Sequence, residues 1–92
     1  MERVNIKSKQ NTKKLLRLFD LKQAFGIGKT TAYAWLRDGL LTPPVRLGRR
    51  MVAWPDNEVN ALVAARILGK SDDVIKALVI QLMADRQAVS EV

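Results

Sequence analysis

Gly28, Lys29 and Thr30 stand together in the stretch GIGKTTAY, residues 26–33, and this triplet is one that phosphate-binding loops use to grip a nucleotide. Such a loop also needs an earlier glycine, four spacer residues before Gly28, and that position holds Gln23. It must leave a buried strand, so that backbone amides wrap the phosphate while a helix start faces it. The preceding residues read as a helix instead. A chain of 92 residues also lacks room for the parallel sheet that supports such a loop. Lys29 and Thr30 make better sense in the first turn of a helix. Their side chains and the backbone amides there can meet a DNA phosphate, and a helix-turn-helix presents its base-reading residues there.

Few other chemistries are open to the chain. It contains no histidine and no cysteine, which removes zinc fingers, thiolate nucleophiles and His-assisted serine chemistry. Asp72 and Asp73 form a charge pair suited to a helix start, with no third ligand nearby to make a metal site. No enzymatic activity, cofactor, metal or small-molecule substrate is expected. No apolar run is long enough to span a bilayer, and the N-terminal MERVNIKSKQNTKK lacks the apolar middle of a signal peptide. The expected compartment is the cytoplasm.

Charge is unevenly placed. Residues 1–50 hold twelve Lys or Arg against three acids, giving +9, whereas residues 51–92 hold four bases against six acids, giving −2. A small chain with one strongly basic half points to a polyanion, and nucleic acid is the commonest.

The elements that position these residues follow from local signals. Residues 1–14 are polar and basic and read as a flexible arm. Leu15 to Phe19 suits either a brief strand or a hydrophobic lead-in to the first helix. Asp20 with Gln23 fits a capping box opening a helix over residues 21–25, which Gly26-Ile27-Gly28 breaks. Lys29 to Asp38 is a second helix closed by Gly39. In it Ala32, Trp35 and Leu36 can pack inward with Leu21, Ala24, Phe25 and Ile27, leaving Lys29, Thr30, Tyr33, Ala34 and Arg37 outside. Pro43 and Pro44 make residues 40–44 a connector. Residues 45–47 and 51–54 alternate as short strands around Gly48-Arg49-Arg50, a hairpin with an arginine tip. Pro55-Asp56 opens a third helix with Val59, Leu62, Val63 and Ile67 on its apolar face. Ser71 then caps a last, strongly amphipathic helix whose stripe is Val74, Ile75, Leu78, Val79, Leu82 and Met83.

In this order and spacing, GIGKTTAYAWLRDGLLTPPVRLGRRMVAWPDNEVNAL and, more loosely, AARILGKSDDVIKALV resemble the AlpA-like family of phage and prophage regulators. These are small relatives of MerR-type winged helix-turn-helix proteins and of some phage excisionases. The resemblance covers residue 15 to about residue 86. It implies a mostly α fold, in a bacterial cell at the nucleoid: a MerR-like winged helix-turn-helix over residues 15–69, with a small β-hairpin wing, preceded by the basic arm read from composition over 1–14 and followed by an additional C-terminal amphipathic helix over 70–92. It also implies double-stranded DNA as the partner. Helix 29–38 would enter the major groove with Lys29, Thr30, Tyr33 and Arg37 as contacts. Arg49 and Arg50 of the wing would reach an adjacent phosphate or the minor groove, with Arg46 at the flank. The output would be control of integrase or other prophage genes, or assistance to excision.

Blander readings stand beside these. Arg49-Arg50 is also what a solvated turn looks like, and Tyr33 can equally pack on the scaffold. Trp35 and Trp54 read as core. The stripe of the last helix fits packing against Val59, Leu62 and Val63, but it also fits a homodimer seam. It could equally serve a protein-interaction module such as an antitoxin or regulatory subunit.

Overall fold

The computed structural model describes the backbone of residues 14–90 and the side chains of residues 14–87. The basic arm therefore lies, but for Lys14, outside the described residues. In chain order the elements are β1 (Leu15–Leu16), α1 (Leu18–Phe25), α2 (Lys29–Asp38), β2 (Val45–Arg46), β3 (Val52–Pro55), α3 (Asp56–Ile67) and α4 (Asp72–Ser90). The three strands form one antiparallel sheet in the order β1-β3-β2. Leu15 pairs with Pro55 and Leu16 with Trp54, while Val45 pairs with Ala53 and Arg46 with Val52.

Both readings of Leu15 to Phe19 hold in part, because two residues pair with β3 before the chain turns into α1. The helix starts earlier than Asp20. Its cap is Arg17, in extended conformation, and Asp20 is the third helical residue, whose Oδ2 accepts the Arg17 N–H at 3.2 Å. The acid satisfies a free amide of the first turn from inside the helix, and Leu18 is free to lie against the core.

Three helix ends require a left-handed residue, Gly69 after α3 among them at φ 72°. Gly26 has φ 69° and Gly39 φ 79°, where a Cβ would be strained. At Gly39 the backbone closes a Schellman motif: the Gly39 N–H donates to the Leu36 carbonyl at 3.3 Å and the Leu40 N–H to that of Trp35 at 2.8 Å, satisfying two carbonyls at the helix end. Leu40, Leu41 and Thr42 then run buried through the core. The Trp54 Nε1–H donates to the Thr42 carbonyl at 2.8 Å, tying this connector to β3.

The core gathers Leu21, Ala32, Leu41, Trp54, Val59, Leu62 and Ile75, each no more than 1% exposed. Ile75, Val79 and Leu82 of α4 belong to it and Leu78 packs against it, so most of the stripe is core, whereas Val74 is exposed. Two sequence expectations are corrected. Ala24 is exposed, because α1 meets the core through Leu18, Leu21 and Phe25, spaced three and four apart. Ile67 is 79% exposed, because the buried face of α3 runs through Glu58, Val59, Leu62 and Ala65 and places Ile67 on the far side.

The acid on that face is paired across the fold. Arg86 of α4 donates from Nε and Nη2 to the two oxygens of Glu58, each at 2.6 Å. Its Nη2 also donates to the Pro43 carbonyl at 2.8 Å. One guanidinium thereby joins α4, the start of α3 and the connector that leads into β2.

Candidate nucleic-acid interface

Helix α2 turns Ala32 inward, to 1% exposure, and carries Lys29, Thr30, Tyr33 and Arg37 exposed. Thr30, Tyr33 and Arg37 are spaced three and four apart and therefore share one face. Lys29 lies at its edge, with Nζ 5.9 Å from the centre of the Tyr33 ring. Tyr33 is 48% exposed, so it stands out from the scaffold rather than packing into it. Arg37 Nε lies 3.3 Å from Asp38 Oδ1, an exposed pair between neighbours that leaves most of the guanidinium in water.

This face is held from behind. The Phe25 and Trp35 rings meet edge-to-face with centroids 5.3 Å apart, fixing α1 against α2. Arg66 of α3 stacks on the other partner of this contact, with Cζ 4.2 Å from the Trp35 ring centre, a cation–π contact across two helices. Gly28 caps α2 without a side-chain hydrogen bond, so the amides of the first turn are not taken up by their own cap. The phosphate-loop alternative fails on geometry as well, since Gln23 lies within α1.

The hairpin between β2 and β3 projects the other cations. Arg46, Arg49 and Arg50 are all exposed. Arg46 Nη2 donates to the Arg49 carbonyl at 3.4 Å, which lays Arg46 along the turn. No hydrogen bond or ion pair engages the guanidinium groups of Arg49 and Arg50 among the described residues. The structure thus brings Lys29 to Tyr33 and Arg46 to the Arg49 backbone, but no hydrogen bond joins the helix group to the hairpin group.

Two further residues bear on this surface. Arg17 Nε donates to the Val52 carbonyl at 3.1 Å, placing another cation at the base of the hairpin. Thr31, also exposed, offers a second hydroxyl in the first turn of α2. Thr31 was legible from its place beside Thr30; Arg17 was not, because its partner is 35 residues away. Between residues 14 and 50 the described chain carries eight Lys or Arg against Asp20 and Asp38. Among the described residues no group of His, Cys, Asp or Glu is placed to hold a metal ion, and no helix is long and apolar enough to cross a membrane.

Two helices set against each other by a glycine turn, the second with an outward polar and cationic face, followed by an arginine-tipped hairpin, define a winged helix-turn-helix protein. The chain belongs to the family of the prophage CP4-57 regulatory protein (AlpA), whose family model matches residues 14–67. That match runs from the start of β1 to the end of α3. The chain is similar to the uncharacterized protein ORF88 of Enterobacteria phage P4, with 37% identity over 57 residues, 62% of this chain and 65% of that protein. It thus spans just under two thirds of that relative's length. No solved structure matches it.

Proposed function

We propose that this chain is a sequence-specific double-stranded DNA-binding protein that regulates phage or prophage genes or assists excision. In this reading residues 15–69 are the DNA-binding unit. Helix α2 lies in the major groove with Lys29, Thr30, Tyr33 and Arg37, and the MerR-like wing sets Arg46, Arg49 and Arg50 on an adjacent phosphate or the minor groove. The observation that carries the reading is the outward face of α2, which presents cations and a hydroxyl while its opposite side is locked by the Phe25–Trp35 and Trp35–Arg66 contacts. A rigid helix with such a face can dock on phosphates and bring short and forked donors to base edges. Membership in a family of regulatory proteins supports the same reading.

The direct experiment is selection of bound duplexes from a random library at near-physiological salt. An enriched motif is the expected outcome. Paired half-sites about ten base pairs apart would add a homodimer on one face of the duplex. Retention without enrichment would reduce the reading to shape or phosphate binding, and no retention would refute it.

The wing makes a separate prediction. Replacing Arg49 and Arg50 together with alanine should weaken binding to most duplexes roughly tenfold and lower the slope of log affinity against log salt by about two, because each lost phosphate contact removes about 0.9 of released counterion. Arg37→Ala should instead cost about 1–3 kcal/mol on the preferred sequence and relax the preference at one position. Titrations by fluorescence anisotropy at several salt concentrations separate the two effects. An unchanged salt slope in the double variant would remove the wing from the interface.

A further inference from the structure

The tip of the hairpin exposes an apolar pair that the body of the protein does not cover. The register that sets Val45 opposite Ala53 and Arg46 opposite Val52 continues to Leu47 and Met51, where the Leu47 N–H donates to the Met51 carbonyl at 2.8 Å. Residues directly opposite on antiparallel strands project from the same face. Leu47 and Met51 therefore stand side by side, on the face that carries Val45 and Ala53. Ala53 is fully buried, but Leu47 and Met51 are 43% and 45% exposed. Two residues along each strand, the face has passed beyond its cover.

What surrounds the pair is cationic. The segment Arg46-Leu47-Gly48-Arg49-Arg50-Met51 contains three arginines and no acid, and among the described residues no hydrogen bond or ion pair engages the guanidinium groups of Arg49 and Arg50. A protein surface could cover two apolar side chains, but a tip with three positive charges and no negative one favours a polyanion. The minor groove of duplex DNA combines the two demands: phosphate walls for arginines, and base steps into which Leu, Met and similar side chains can be driven as wedges.

We propose that Leu47 and Met51 form a wedge that enters the minor groove and opens a base step, with Arg49 and Arg50 on the flanking phosphates. This rests on the DNA-binding reading above and deepens it, adding two apolar residues to a contact set otherwise made of polar ones. Inserting them unstacks a step and kinks the duplex toward the major groove. Pyrimidine–purine steps such as TA and CA deform most readily, so the wing selects sequence at a position where it forms no hydrogen bond to a base.

The test places 2-aminopurine, which brightens when unstacked, at successive positions of a duplex recovered by the selection, or of an alternating TA duplex if no motif emerges. Anisotropy reports binding and aminopurine emission reports unstacking. Wild-type protein should raise the emission several-fold at one step. Leu47→Ser with Met51→Ser should still bind, several-fold more weakly and with an unchanged salt slope, while the emission rise is lost. Leu47→Ala alone should reduce the rise, and serves if the double variant does not melt cooperatively. A bound complex with no rise at any position overturns the wedge, as does a rise that survives the double substitution; in either case the apolar pair is left to a protein partner. Absence of any anisotropy change with wild-type protein overturns the DNA-binding reading itself, and the wedge with it.

Discussion

Arg86→Met should destabilise the protein by about 3 kcal/mol, toward the lower end of what breaking a buried ion pair costs. The reason lies in the partner left behind. The Glu58 side chain is 2% exposed and that of Arg86 22%, so removing the guanidinium strands a carboxylate in the core while restoring little water to it. The Pro43 carbonyl, which accepts from the same Nη2 at 2.8 Å, loses a donor as well. The residual exposure of Arg86 lets solvent screen part of the attraction, which argues against the upper end of the range. For a domain of this size the loss corresponds to a fall in Tm of more than about 12 °C, measurable by thermal or urea unfolding. Glu58→Leu combined with Arg86→Met should recover much of it, since no uncompensated charge then remains inside. A single variant that melts within a few degrees of wild type would mean that the pair is screened by water and holds little. The pair also sits at the base of the wing, through Pro43 and the connector into β2. In the single variant the hairpin should therefore exchange its amides faster than α1 and α2 do.

Signals confined to a few residues could be read from the sequence. Gly39 closed α2 where its missing Cβ allows, Pro43 and Pro44 ended helix formation, and Pro55-Asp56 opened α3. The outward set of α2 was legible for the same reason, since periodicity alone separates Ala32 from Thr30, Tyr33 and Arg37. Expectations failed where a distant partner decides the outcome. Ile67 fits the apolar period of α3, but the buried side of that helix also takes in Glu58, whose partner lies 28 residues away. An acid in a helix is ordinarily placed in water, and nothing local marks this one for the interior. Arg66 reads as a surface cation until Trp35 is brought beneath it. The alternation of residues 45–47 and 51–54 identified the hairpin, but how far the body covers it depends on the helices packed against β3, α1 and α3. The exposure of Leu47 and Met51 was accordingly invisible in the pattern that located them.

Ending the chain after Lys70 should abolish cooperative unfolding, and with it any retention of DNA. The truncation leaves the residues matched by the family model, 14–67, intact, so the outcome decides whether α4 is an appendage or part of the domain. Ile75, Val79 and Leu82 are each no more than 7% exposed, and burying an aliphatic side chain of this size contributes about 1.5–3 kcal/mol. Their loss together comes to about 5–9 kcal/mol, comparable with the total stability of a small domain. The truncation also removes Arg86 and leaves Glu58 buried without its partner. Circular dichroism and a thermal melt of the shortened chain are the measurements. A sharp melt with DNA binding retained would make α4 an interaction element, the reading in which its stripe serves a protein partner. The outer side of the helix is probed separately by Ile80→Ser. Ile80 is 70% exposed, so this change should leave stability within about 0.5 kcal/mol whichever way the truncation falls. If sedimentation shows that it converts a dimer to a monomer, α4 builds the core with one side and joins a second copy with the other.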